Sequence, residues 1–128
     1  MPGRVPASKV PGVLAKAQAL LVSDPAMSLT VPSKLQTCLA AGKPIIAALD
    51  GEGARVVTEA GAGVTCAAGD ANALAECAQR LAAMDAAEGA RMGQSGAPFH
   101  ARHCTPQVLT PRLVQHLESA VRYRRASR

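Results

Sequence analysis

Aromatic side chains are nearly absent from this chain of 128 residues: it has no tryptophan, one tyrosine, Tyr123, and one phenylalanine, Phe99. Single-stranded nucleic acid is held largely by stacking bases on aromatic rings. A net charge of +5 with so few rings and no recognition motif therefore does not read as a nucleic-acid binder. The same scarcity leaves Ala, Val, Leu and Ile to build the core, and small side chains bury little area each. No apolar run approaches the roughly 18 residues that span a bilayer, and Met1-Pro2-Gly3-Arg4 lacks the apolar stretch of a signal peptide. The expected location is cytoplasmic. There is no C-x-x-C, so Cys38, Cys66, Cys77 and Cys104 read as reduced, mostly buried, small apolar residues. Neither a Walker A loop nor a dinucleotide fingerprint occurs, and tight turns account for the glycines. His100, His103 and Cys104 have residue types that bind zinc, yet a closed site needs four ligands and no second cluster accompanies them. Neither a metal nor a cofactor is expected.

What the chain does have is concentrated in PSKLQTCLAAGKP, Pro32 to Pro44. Pro32 suits a first helical position, and Ser28, Thr30 and Ser33 can cap or flank the exposed amides. Those amides and the positive end of the helix dipole favour an anion. Leu35, Cys38 and Leu39 recur on one side, Gly42 supplies a left-handed stop, and Ile45-Ile46-Ala47-Ala48-Leu49 reads as a buried strand.

The pattern alternates on either side. Val13, Leu14 and Ala17 indicate a short helix, and Ala19-Leu20-Leu21-Val22 a buried strand ended by Asp24-Pro25. After the turn cluster Asp50-Gly51-Glu52-Gly53 comes a helix through Val56, Val57 and Ala60, closed by Gly61. Strand Gly63-Val64-Thr65-Cys66 follows, and Asp70 caps a helix carrying Leu74, Ala78 and Leu81. Short apolar strands separated by single helices imply parallel pairing with right-handed crossovers. The expected fold is thus α/β, a Rossmann-like parallel sheet flanked by helices, with its core over about residues 3–84. Over about 85–124 the pattern is helical. Asp85 caps a helix bearing Met92, Gly93 and Gly96 mark a break, and Thr105-Pro106 opens a helix through Val108, Leu109, Leu113, Leu117 and Val121. Pro111 allows a second reading, a turn followed by a helix from Thr110. At 128 residues the chain has the size of one domain with one core.

The run SLTVPSKLQTCLAAGKPIIAALDGEGARVVTEAGAG, Ser28 to Gly63, together with AAGDANALAE and ARMGQSG, resembles the carboxyl-terminal half of family-4 glycosyltransferases. The likeness is greatest to bacterial enzymes that transfer amino or deoxy sugars in surface polysaccharide assembly. It runs from about Gly3 to about Glu118 but covers only part of the family's length. The resemblance implies a partial GT-B carboxyl-terminal domain that binds a nucleotide diphosphate sugar as substrate. The implied reaction is transfer to a glycan or lipid-linked hydroxyl with retained configuration and no metal. The amino-terminal acceptor domain and the first strands of the donor domain have no counterpart here. The cationic group placed earlier in the donor domain is also missing, so these residues are not expected to catalyse transfer alone.

Residue by residue, the resemblance lays the Ser23–Ser33 loop and the following helix start against the donor's diphosphate and sugar. Ser28, Leu29 and Thr30 then offer amides, Ser33 a hydroxyl, and Lys34 a charge for the departing phosphate. A solvated helix start explains Ser33 and Lys34 equally simply. Many members carry two glutamates separated by seven residues. The matching positions here are Leu29 and Thr37, so only Thr37 can hydrogen-bond a ribose hydroxyl. Asp50 and Glu52, at a strand's carboxyl end, can bind sugar hydroxyls, with Arg55 able to pair with either. Their other reading is a turn and a favourable charge at a helix start.

Four arginines, Arg122, Arg124, Arg125 and Arg128, close the sequence. They form either a solubilising end or a contact with anionic lipid at the inner face of a membrane. The final helix meets no second domain and should expose an apolar face. The expected partners are the donor, a separate amino-terminal half or a second copy. Two other classes stay open: a non-catalytic nucleotide-sugar or partner module, and an α/β interaction domain whose helix mouth binds nothing.

Overall fold

A computed structural model describes residues 3–26 and 28–128, so Met1, Pro2 and Met27 lie outside the described residues. After a single 3-10 turn, Ala7–Lys9, the elements alternate in chain order. They are α1 (Val10–Lys16), β1 (Leu20–Asp24), α2 (Ser33–Ala41), β2 (Ile45–Leu49), α3 (Glu52–Ala60), β3 (Gly63–Cys66) and α4 (Ala71–Ala83). Three helices follow, α5 (Ala86–Gln94), α6 (Gly96–His103) and α7 (Pro106–Ala126). The strands form one parallel sheet in the order β1-β2-β3, with Leu20 beside Ile45 and Ile45 beside Gly63. The expected α/β class, a parallel sheet flanked by helices with a helical carboxyl end, is thus what the chain forms.

Alternation along the strands assigns the two faces of the sheet. Leu20, Val22, Ile45, Ala47 and Leu49 join Leu35, Cys38 and Leu39 of α2 and Val56, Val57 and Ala60 of α3 in one core. Ala48 and Val64 are buried on the opposite face, where α4 packs against β2 and β3. Leu21, in the same register row as Ile46 and Val64, also belongs to that face, yet it is 58% exposed. The α4 face is therefore covered beside β3 and open beside β1, whose outer edge pairs with no described strand.

The helix stops follow the expected chemistry. Gly42 and Gly61 close α2 and α3 in left-handed conformations, with φ of 69° and 60°. Asp70 accepts from the Ala73 N–H at 2.9 Å and Asp85 from the Ala87 N–H at 2.9 Å, satisfying first-turn donors of α4 and α5.

Three readings of the sequence need correction, and the two left open at Pro111 resolve to the continuous helix. Pro32 is the residue before α2, not its first helical residue, because its ψ of 137° is extended and the helix begins at Ser33. Strand β1 runs on to Asp24, where the Asp24 carboxylate accepts the Ala26 N–H at 3.0 Å to make the turn. Pro111 does not break the last helix, which is continuous from Pro106 to Ala126. Its ring sits in the second turn on an exposed stretch, and the helix forgoes one internal hydrogen bond there. Of the four cysteines, all free, only Cys38 is fully buried.

Gly93 and Gly96 do more than separate two helices. A Cβ at Gly93 would lie 2.6 Å from the Gly42 carbonyl oxygen, and one at Gly96 would lie 2.9 Å from that of Leu39. Both glycines let the α5–α6 corner lie directly on the backbone at the end of α2. Beside these contacts Phe99 of α6 packs against the core.

Candidate functional site

The carboxyl ends of the three strands are joined by a few polar links that set the loops in place. The backbone N–H of Glu52 donates to the Ser28 carbonyl at 3.0 Å, tying the β2–α3 turn to the β1–α2 loop. Gly51 makes this approach possible, since a Cβ there would lie 1.9 Å from the same carbonyl oxygen. Pro32 is buried, and its Cδ lies 3.4 Å from where a Cβ of Gly53 would stand, so the starts of α2 and α3 lie side by side. On the other flank, the Asp50 carboxylate accepts the Ala68 N–H at 3.2 Å, fastening the end of β2 to the loop after β3.

On this frame the start of α2 is presented outward. Ser28, Leu29, Thr30, Ser33, Lys34 and Thr37 are all exposed, Leu29 at 89%. Among the described residues no side chain caps α2, so of the two readings for Ser28, Thr30 and Ser33, capping or flanking its amides, only flanking remains. Pro32 supplies only a backbone partner, its carbonyl accepting the Leu35 N–H at 3.0 Å. Thr37 lies one turn along from both Ser33 and Lys34, at i+4 and i+3, and also borders a groove lined by Val10, Leu14 and Ala41. Among the described residues Lys34 has no ion pair or side-chain hydrogen bond.

At the acidic turn the structure selects Glu52 of the two partners read for Arg55. Arg55 does not bridge to Asp50. Its guanidinium donates to Glu52 at 2.7 Å and to Glu59 one turn further on, along the surface of α3. The hydrogen bonds that Arg55 donates hold the Glu52 carboxyl below its ordinary value of 4.5, and acceptance by Glu52 and Glu59 pushes the guanidinium's own value up. Because the folded state favours ionised Glu52, this link contributes stability above the ordinary glutamate range and loses it as pH falls through the lowered value. Glu52→Gln is expected to flatten the acid limb of a stability–pH curve only slightly, since both partners are exposed. Urea unfolding of both proteins at about pH 5 and about pH 3 measures this, and the loss between the two pH values should be slightly smaller in the variant.

Asp50 and Glu52 are thus already engaged, one by an amide and one by an arginine. Lys34 and the uncapped amides of α2 are the groups at this end free to meet an anion. The histidine cluster has a separate place, on α6, where the rings of His103 and Phe99 stack with centroids 4.5 Å apart. Burial pushes the Cys104 thiol up. Among the described residues no three His, Cys, Asp or Glu side chains converge in a metal-holding arrangement. A cleft of about 470 Å³ lies at the opposite end of the sheet, lined by Gln18, Lys43, Pro44, Leu81 and Met84, away from the carboxyl ends of the strands.

One close pair escaped the sequence reading. Cys66, at the end of β3, and Cys77, on α4, lie beside each other, and the Cys77 thiol donates to the Thr65 carbonyl at 3.6 Å. Burial, and then the Cys77 thiol, push the Cys66 thiol up. Their separation of eleven residues follows no local motif. Only the return of α4 across β3 brings them together.

Compared with protein-family models, curated proteins and solved structures, the chain matches none.

Proposed function

We propose that this chain is the donor-binding part of a glycosyltransferase, holding the diphosphate of a nucleotide sugar at the start of α2. The observation that supports this reading best is the pairing of an uncapped helix start with an unengaged Lys34 at the carboxyl ends of parallel strands. The resemblance over Ser28 to Gly63 supports it independently of the geometry. In this proposal the amides beyond Pro32 and the Lys34 ammonium hold the phosphate oxygens. Ser33 donates its hydroxyl, and Thr37, one turn along the same face, reaches the ribose. As the glycosidic bond breaks, negative charge grows on the departing diphosphate, and a fixed cation and dipole stabilise that charge.

The open side of the sheet favours one further reading. Leu21 and the unpaired edge of β1 lie where additional strands and a covering helix would continue the sheet. The chain therefore also suits a module completed by a separately supplied amino-terminal half, which would bring the acceptor site and the remaining cationic group. Co-expression with a neighbouring reading frame encoding such a half should yield a stable complex in which Leu21 becomes protected. A chain that stays alone favours a binding module.

Thermal unfolding with a panel of nucleoside diphosphates and nucleotide sugars tests the donor site. One nucleotide class should raise the unfolding free energy by roughly 2.7 kcal/mol when present at about 100 times its dissociation constant. Lys34→Ala should remove most of that gain without changing the stability of the unliganded protein, since Lys34 is exposed. A folded chain that responds to none of them would refute donor binding.

A further inference from the structure

We propose that α7 is a lipid-binding helix that lies on anionic membrane surfaces. Leu109, Leu113, Val114, Leu117 and Val121 are each at least 41% exposed, the most exposed being Leu113 at 59%. At 100° per residue they fall within an arc of about 140°, a continuous aliphatic stripe about 18 Å long. The start of α7 rests on α6, Val108 there is half-buried, and the remainder of the helix is exposed along its length. A stripe of this size left facing water needs a covering surface.

The charges around the stripe identify the occupant. From Pro106 to Arg128 the side chains include five arginines, Arg112, Arg122, Arg124, Arg125 and Arg128, against one carboxylate, Glu118. A second copy of α7 laid parallel to the first would bring Arg122, Arg124, Arg125 and Arg128 of both together with almost no compensating charge, so that self-pairing is opposed. An anionic surface is complementary to them. Hot spots of protein interfaces are rich in tryptophan and tyrosine and poor in leucine and valine, whereas this stripe is uniformly aliphatic with one tyrosine, Tyr123, at its margin. A bilayer asks for no such shape match. It accepts a continuous aliphatic stripe in the acyl boundary, while arginine stems lie along the surface with their guanidinium groups among the headgroups. Among the described residues no helix is long and apolar enough to cross a membrane, so the mode of contact is in the plane of the interface.

This proposal does not depend on the transferase reading, because the start of α2 and the stripe on α7 share no residue. Its test is flotation of the full chain with phosphatidylcholine vesicles and with vesicles that also contain phosphatidylglycerol. The expected result is capture by the anionic vesicles alone, weakening as salt is raised. The triple variant Arg122→Gln, Arg124→Gln, Arg125→Gln should lower partitioning about 100-fold, from a contribution of about a factor of five per arginine. Leu113→Gln with Leu117→Gln, which leaves the charge unchanged, should also release the protein. Because all these positions are exposed, thermal unfolding of the variants should match the parent, separating lost binding from lost folding. Three results would overturn the proposal: no capture by anionic vesicles, capture that both variants retain, or a salt-resistant dimer that the leucine changes dissolve.

Discussion

Gly51→Ala is expected to destabilise the protein by about 3 kcal/mol or more, because two separate penalties meet at this one position. The residue has φ of 65° and ψ of −133°, a region in which L side chains are strained. Its missing Cβ is also the space occupied by the Ser28 carbonyl, 1.9 Å from where that carbon would stand. Alanine therefore cannot be accepted by a change of rotamer. Either the β2–α3 turn or the β1–α2 loop must move, and the hydrogen bond from the Glu52 N–H to Ser28 is lost with it. Gly61→Ala provides the internal comparison, since Gly61 has φ of 60° but nothing within 4 Å of its Cβ position. It should cost only the left-handed penalty of about 1–2 kcal/mol. Urea unfolding of both variants measures the difference. Equal losses would mean that the contact with Ser28 contributes nothing to holding the two loops together. The excess at Gly51 should be accompanied by a weaker nucleotide response, because the displaced loop is the one that leads into α2.

Gly51 also shows how far local patterns can be followed. The cluster Asp50-Gly51-Glu52-Gly53 is legible as a turn, and as a turn it forms. That its second residue is glycine because a carbonyl from a loop more than twenty positions earlier fills the space is not legible, since the contact is created by sheet pairing. The same division holds at Gly93 and Gly96. Their residue type indicates a break between helices, whereas their close packing on Gly42 and Leu39 arises only when α6 folds back on α2. Elements whose signals are local were readable almost to the residue: the left-handed stops at Gly42 and Gly61, the caps Asp70 and Asp85, and the strands β2 and β3. Pro111 allows two readings because a proline inside a helix loses one backbone hydrogen bond and crowds the carbonyl four residues before it, a penalty that sequence alone does not weigh against the rest of the helix; here the helix continues through it.

At the candidate site the legible part is again the part governed by the chain's own neighbours. Lys34 and Ser33 follow Pro32 directly, so their place at a helix start could be read. Which carboxylate Arg55 would choose could not. Glu52 and Glu59 lie three residues before and four after it on one helix face, and that spacing outcompetes Asp50, which is drawn away by the Ala68 amide. The spatial pairing of Cys66 with Cys77 likewise depends on how α4 crosses β3.

Leu39→Ala should be comparably damaging to the fold, with a loss of about 3–5 kcal/mol, towards the upper end for removing a buried leucine. Leu39 is fully buried and stands where α2 passes between the sheet and α6. The largest fully buried side chains are only Leu35, Leu39, Ile45, Leu49 and Val57, so each fills a greater share of the interior than it would in a core containing aromatic rings. Collapse around a truncated side chain is restricted on both sides. The sheet is fixed by its parallel register, and α6 already touches the backbone of Leu39 through Gly96, with no side chain there to move inward. A cavity should therefore persist, and persistence is what raises the cost above the transfer term alone. Leu39→Met, which nearly conserves volume and adapts its shape, should lose less than about 1.5 kcal/mol. Urea midpoints of the two variants at unchanged slope give both values. If alanine costs no more than methionine, then α6 and α2 close the gap by sliding, and the glycine contacts at positions 93 and 96 are compliant. If the larger loss is found, α2 is held rigidly from behind by Leu39 and α6. Rigid support of that kind is what a helix start needs if its amides and Lys34 are to meet a diphosphate without rearranging first.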